Sequence, residues 1–317
     1  MARRWRVLLI GGLEPSAQCY APLAAVAELV PVEATQQAVA AHIAEADACL
    51  TGLAVRFDRA MLNLAPRLRA IAFPATGHDH VDLAAAAERG IAVMSLQEAP
   101  DLLRDITATA EMAWCLLLAT VRKLPWAFQA AKAGLYPGGG GLLGHMLSGK
   151  TLGVLGYGRL GRMVGQYGLA FRMRVLACNR RPVPVEPGVT LVDHDRLYAQ
   201  SDVLSIHIHL EGNERLLDRR AFARLKEGAV LINTSRGGLL DEQALLEALA
   251  SGRLAGAGLD VIDGEWQAEL VDVHPLIRYA RDHDNLVLTP HIAGATVESQ
   301  QITRDFIIRR LAEFLKT

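Results

Sequence analysis

The sequence predicts an α/β protein made of two doubly wound parallel-sheet domains. Three observations carry this. Short apolar runs alternate with helix-like stretches along the chain, the pattern of strands crossed over by helices. The alternation comes in two series, separated by the glycine-rich break "YPGGGGLLG" at 136–144. At 317 residues, 51% hydrophobic and 5% aromatic, the chain is long enough for two Leu/Val/Ala cores.

The start, "MARRWRVLLIGGLEPSA", imitates a signal peptide, but its apolar core ends after a few residues at two glycines, Glu14 and Pro15. It reads as a first strand, "RVLLIGG" (6–12), followed by "DACLTG" (47–52), "LRAIAFPATG" (68–77) and "GIAVMS" (90–95). A helix is expected from about Arg104 to Lys123. Its apolar part, Ile106 to Val121, is interrupted by Glu111 and falls short of the ~20 residues a bilayer requires, so it reads as a buried helix. The second series supplies "KTLGVLG" (150–156), "MRVLAC" (173–178), "VTLVD" (189–193), "DVLSIHI" (202–208), "GAVLINTS" (228–235), "GAGLDVI" (256–262) and "NLVLTP" (285–290). In "DEQALLEALASGRLAG", Asp241 is the expected N-cap and Gly252 the stop. The helical segment from Thr296 to Thr317 follows a unit already complete at Pro290 and is expected to return to the first domain. The resulting boundaries are 1–102 plus 293–317 for one domain and 103–292 for the other.

Thirty-three basic against 34 acidic residues leave a formal charge of −1, so no bulk attraction favours nucleic acid or an anionic membrane, and the expected ligand is small. Cys19, Cys49, Cys115 and Cys178 are scattered without a C-x-x-C pair, as in a cytoplasmic protein with reduced thiols.

Two nucleotide motifs compete. Residues 144–151, "GHMLSGKT", satisfy the phosphate-loop pattern G-x-x-x-x-G-K-[ST], but the loop must lead into a helix, and here "TLGVLG" reads as a strand. A hydrolase built on Lys150 is therefore disfavoured. Gly156-Tyr157-Gly158-Arg159-Leu160-Gly161 is G-x-G-x-x-G, placed after an apolar strand and before a helix-like stretch. Its glycines permit a tight turn and close approach to a pyrophosphate at a helix N-terminus.

Three later segments place charged residues at strand ends, where ligands bind in open α/β sheets: "INTSRGG" with Arg236, "GLDVIDGEW" with Asp260, Asp263 and Glu265, and "LTPHIAGAT" with His291. Singly, each has a bland reading as a loop residue. Together they suit carbonyl reduction. Arg236 can grip a carboxylate bidentately, His291 can donate a proton to the carbonyl oxygen, and Glu265 can orient the imidazole. Asp260 is placed to hold a cofactor carboxamide.

The set "LGYGRLG", "INTSRGG", "GAGLDVIDGE" and "LTPHIAGAT", in this order, resembles the D-isomer-specific 2-hydroxyacid dehydrogenases, and the resemblance extends to "ATGHDHVDL" and "ITATAEMAWCLLLATVRK". It implies a flavodoxin-like substrate domain from both chain ends, a Rossmann nucleotide-binding domain between them, a cleft active site and a homodimer. It makes Arg236 the substrate-binding arginine, Glu265 the carboxylate partner and His291 the proton donor. It further implies cofactor contacts at Arg159, Leu160, His207, Thr234, Ser235, Asp260 and Gly294, with Thr76 and Gly77 offering N–H groups to the substrate carboxylate. Arg56 matches a position that in some relatives binds a charged substrate tail, though a solvated loop arginine explains it equally.

There are departures from the family pattern. Ala75 replaces the first glycine of the substrate loop, and His78 and His80 are rival acids nearby; His209 replaces a proline, and Trp266 follows Glu265 where proline is frequent. In "VLACNRRP", Asn179 lies 18 residues beyond Gly161, where NAD-using relatives carry Asp. Loss of that charge, with Arg180 and Arg181 adjacent, predicts NADP as the preferred cofactor, NAD remaining possible. The reading is an NAD(P)-dependent reductase of glyoxylate, hydroxypyruvate or a related 2-oxo acid. The alternative is a non-catalytic dinucleotide sensor of corepressor type, against which the joint presence of Arg236, Glu265 and His291 argues.

Overall fold

The computed structural model describes residues 4–11, 18–137, 141–267 and 273–317. The chain divides into two compact units, one of Met1–Ile106 with Thr296–Thr317, the other of Thr107–Ala295. The breaks thus fall at 106/107 and 295/296.

The first unit holds a five-stranded parallel sheet of β1 (Trp5–Ile10), β2 (Ala27–Val32), β3 (Ala48–Leu50), β4 (Ala70–Ala72) and β5 (Ala92–Met94), in the order β2-β1-β3-β4-β5. Strand β2 was not among the runs read from the sequence. It carries Glu28 and Pro31, and its edge position is where a sheet tolerates a residue without an N–H donor. The helix Val297–Phe314 buries Ile307, Ile308 and Leu311 in one cluster with Val7, Leu9, Ala48 and Ala70, so the C-terminal helix covers a face of this sheet.

The second unit is a seven-stranded parallel sheet of β6 (Thr151–Leu155), β7 (Arg174–Cys178), β8 (Val189–Leu191), β9 (Val203–Ile206), β10 (Ala229–Asn233), β11 (Leu254–Leu259) and β12 (Leu286–Leu288). All seven runs of the second series are strands. Their order is β12-β11-β10-β9-β6-β7-β8, so the winding reverses at β6. The inner strands are buried along their length, which is why they read as continuous apolar runs and not as an alternation.

The expected helix runs over Ala108–Val121 and is buried on most of its circumference. It packs closely on β11 because that strand has glycine where it would collide: a Cβ on Gly256 would lie 2.8 Å from Thr120 Cγ2, and one on Gly258 would lie 3.1 Å from Leu116 Cβ. A strand reading "LAGAGL" is therefore shaped for a helix neighbour. Burying Leu116 and Leu117 contributes on the order of 1.5–3 kcal/mol each. The phosphate-loop pattern fails on structure as it did on sequence, since Thr151 opens β6 and no helix follows Lys150. Among the described residues no helix is long and apolar enough to cross a membrane.

Candidate active site

Because all strands of the second sheet are parallel, the segments after their carboxyl ends lie along one edge. After β6, Gly156 adopts φ 92°, and a side chain there would lie 2.3 Å from His207 O. A Cβ on Gly161 would lie 2.0 Å from Gly156 O, so this glycine lets the helix Arg159–Ala170 start directly against the strand. Gly158 differs. Its backbone is extended and a Cβ would meet nothing within 4 Å, so its bare face opens onto free space at the helix N-terminus. Arg159 and Leu160 form the half-buried first turn.

At the end of β7 the Tyr157 N–H donates to Asn179 Oδ1 (3.2 Å), and Asn179 Nδ2 donates to Arg181 O (2.9 Å). Arg180 and Arg181 are exposed and have no acidic partner among the described residues. The segment after them is tied to the helix by Glu186, which accepts from Tyr157 Oη (2.6 Å) and Arg162 Nη1 (2.8 Å).

After β9, His207 Nε2 lies 2.8 Å from Ser205 Oγ, and burial pushes its imidazole down to about 4. It is therefore neutral at physiological pH and unsuited to donating a proton. His209 is exposed. After β10, Asn233 shapes the turn: its Nδ2 donates to Arg236 O (2.8 Å) and its Oδ1 accepts the Ser235 N–H (2.9 Å). Ser235 Oγ donates to Ile206 O (2.8 Å), bridging two strand ends, and Arg236 Nη1 donates to Ser235 O (2.8 Å).

Asp260, 1% exposed at the end of β11, builds the next turn. Its Oδ1 accepts from Thr289 Oγ1 (2.5 Å) and the Ile292 N–H (2.9 Å), and its Oδ2 accepts the Ala293 N–H (2.7 Å). These bonds bracket His291, which sits at φ 52°, unusual for a residue with a side chain. The carboxylate of Glu265 accepts the Ile262 N–H at Oε2 (3.0 Å) and contacts His291 Nδ1 at Oε1 (2.5 Å). A carboxylate only accepts, so Nδ1 carries the ring proton and Nε2 is the nitrogen left to exchange one. The exposed Trp266 ring lies against His291, centroids 5.2 Å apart.

Arg236, Glu265 and His291 thus follow three strands that are neighbours in the sheet, β10, β11 and β12. Arg56, Thr76 and Gly77 lie in the first unit. Arg56 is exposed, with its backbone N–H and C=O both bonded to the Gln36 side chain. His78 is bonded to Gln97 (2.9 Å), and His80 is buried against Phe73. Asn233, Glu186 and Trp266 were not singled out for these contacts from sequence; a buried amide ending an apolar strand was the available signal for Asn233.

The family model described as D-isomer specific 2-hydroxyacid dehydrogenase, NAD binding domain, matches residues 114–293, all within the second unit. The chain belongs to the D-isomer specific 2-hydroxyacid dehydrogenase family. Among its relatives are a glyoxylate reductase of Thermococcus litoralis, 35% identical over 86% of this chain and 82% of that one. A hydroxypyruvate reductase of Thermotoga maritima is 34% identical over 82% and 81%. The crystal structure of D-lactate dehydrogenase from Aquifex aeolicus, complexed with NAD and lactic acid, superposes with a TM-score of 0.85 at 27% identity, covering 98% of this chain and 96% of that one. This family member is an NAD(P)-dependent 2-hydroxyacid dehydrogenase.

The dehydrogenase's own atoms fit such a cofactor. Thr234 Oγ1 and His207 Nδ1 are buried polar atoms without a hydrogen-bond partner among the described residues, His207 just after β9, which neighbours β6, and Thr234 just after β10, the next strand out. Buried polar atoms are rarely left so in proteins unless a ligand or water completes them. With the open face of Gly158 they make a polar lining suited to a dinucleotide.

Proposed function

We propose that the enzyme reduces glyoxylate, hydroxypyruvate or a closely related small 2-oxo acid, with NADPH preferred over NADH. The observation that carries the catalytic part is the 2.5 Å contact between Glu265 Oε1 and His291 Nδ1. It orients the ring and leaves Nε2 to deliver a proton to the substrate's carbonyl oxygen. Arg236 binds the substrate carboxylate through its planar guanidinium and polarises the adjacent carbonyl. The nicotinamide, when bound, supplies the hydride. Gly156, Gly158 and Gly161 admit the pyrophosphate to the helix N-terminus, with Arg159 and Leu160 beside it. His207, Thr234, Ser235, Asp260 and Gly294 complete the cofactor's surroundings. A sensor would have no use for a bonded acid pair, which supports catalysis over sensing alone.

The NADPH preference rests on Asn179, Arg180 and Arg181. No carboxylate stands at the strand end, and two exposed guanidinium groups follow it. One good charge-assisted bond to a 2′-phosphate contributes about 1.5–3 kcal/mol, a preference of roughly ten- to a hundredfold.

Steady-state oxidation of NADPH and NADH with glyoxylate, hydroxypyruvate and pyruvate tests both parts. A kcat/KM for NADH equal to or above that for NADPH sinks the cofactor preference. Glu265→Gln should lower kcat by roughly a hundredfold with little change in KM. Wild-type turnover in His291→Gln would sink the acid assignment.

A further inference from the structure

A second carboxylate and imidazole lie behind the first. Glu242 opens the helix Glu242–Ala250, and His274 caps the helix Pro275–Asp282; their side chains are 18% and 8% exposed. Glu242 Oε1 accepts the Asp263 N–H (2.8 Å), and its Oε2 lies 3.2 Å from His274 Nε2. His274 Nδ1 accepts the Leu276 N–H (3.3 Å), so the ring proton is on Nε2, facing Glu242 and the Asp263 carbonyl (3.1 Å). Asp263 belongs to the same turn as Ile262 and Glu265, and this turn also rests on Gly237, where a Cβ would lie 2.1 Å from Ile262 C. Gly237 directly follows Arg236.

We propose that Glu242 and His274 are positioning residues for proton delivery: by holding the backbone of residues 262–265 from behind, they set Glu265 against His291. This rests on the reading of Glu265 and His291 as the acid pair. The hold is complete when Glu242 is ionised, because both its oxygens then accept N–H donors. A proton on Glu242 would face those donors. Burial, with Asp263 and Glu265 as the charged groups facing it, pushes the Glu242 carboxyl up to about 7, so the hold weakens as pH falls through neutrality.

Two variants test this. Glu242→Gln keeps an oxygen for the Asp263 N–H but turns an N–H towards His274. His274→Asn keeps an acceptor for the Leu276 N–H and removes the donor to Glu242. With glyoxylate and NADPH, each should lower kcat about tenfold while KM stays within about threefold. The kcat profile of E242Q should lose the ionisation near 7; that of H274N should keep it, displaced to higher pH because the ionised form has lost a donor. A merely structural role would lower stability and leave both profiles unmoved. Profiles superimposing on wild type overturn the inference, and if E242Q does not fold, H274N alone decides. H291Q is the control: loss of turnover there with unmoved E242Q and H274N profiles overturns only this inference, whereas wild-type turnover in H291Q overturns the acid pair on which it rests.

Discussion

The Asn179 side chain bonds in both directions, accepting the Tyr157 N–H at 3.2 Å and donating to Arg181 O at 2.9 Å. It thereby ties the glycine turn to the arginine-bearing segment. An aspartate can accept the first bond but cannot donate the second, and it brings a negative charge beside the proposed 2′-phosphate position. Asn179→Asp should therefore lower kcat/KM with NADPH by roughly ten- to a hundredfold and change that with NADH much less. Parallel kinetics with the two cofactors checks this.

Two glycines of one motif should fail differently. Gly158 has extended backbone and open space, so Gly158→Ala should fold with an unchanged Tm and lose dinucleotide affinity by about tenfold or more. Gly161→Ala drives a methyl onto Gly156 O and should destabilise the fold itself, by about 1–3 kcal/mol. Thermal melts with and without NADPH separate the two.

Asp260→Ala leaves the Ile292 and Ala293 N–H groups and the Thr289 hydroxyl without their acceptor and frees a turn that holds His291 at positive φ. A stability loss of about 3 kcal/mol is expected. Denaturant unfolding gives the stability, and kcat should fall with it even where the variant is fully folded.

The sign of the Glu242 contribution to stability follows from its raised folded-state value. Burial favours the protonated form of Glu242, so the fold is most stable below the ordinary value of 4.5 and loses stability as pH rises through about 7, although the acceptor bonds to the turn are complete only in the ionised form. Wild-type protein should thus lose on the order of 2–3 kcal/mol across this window relative to Glu242→Gln, whose side chain cannot ionise. Urea unfolding of both proteins between pH 4.5 and 8 measures the difference; parallel curves would contradict it.

Much of the architecture was legible because a buried parallel strand has to be a short apolar run. The runs "KTLGVLG" and "GAVLINTS" announced β6 and β10, and Asp241 announced its helix, where it accepts the Ala244 N–H at 3.0 Å. Strand β2 was obscured by Pro31, acceptable only because β2 is an edge, a property of sheet order. Arg236, Glu265 and His291 stood out as charges at the ends of such runs. Glu242 and His274 did not, since a helix-start glutamate and a loop histidine have ordinary local explanations.

By itself the sequence determined all the strands but β2 and some of the helices, where the glycine turn lies, and which charged residues follow strand ends. Each depends on interactions within a few residues: periodicity, caps and turn conformations. Only the tertiary structure decided that β10, β11 and β12 are neighbours, that Glu265 meets His291, that Asn179 ties Tyr157 to Arg181, and that Glu242 and His274 meet behind the turn. Those contacts join residues separated by up to some thirty positions, and the order in which strands pair and helices pack, which no local pattern encodes, brings them together.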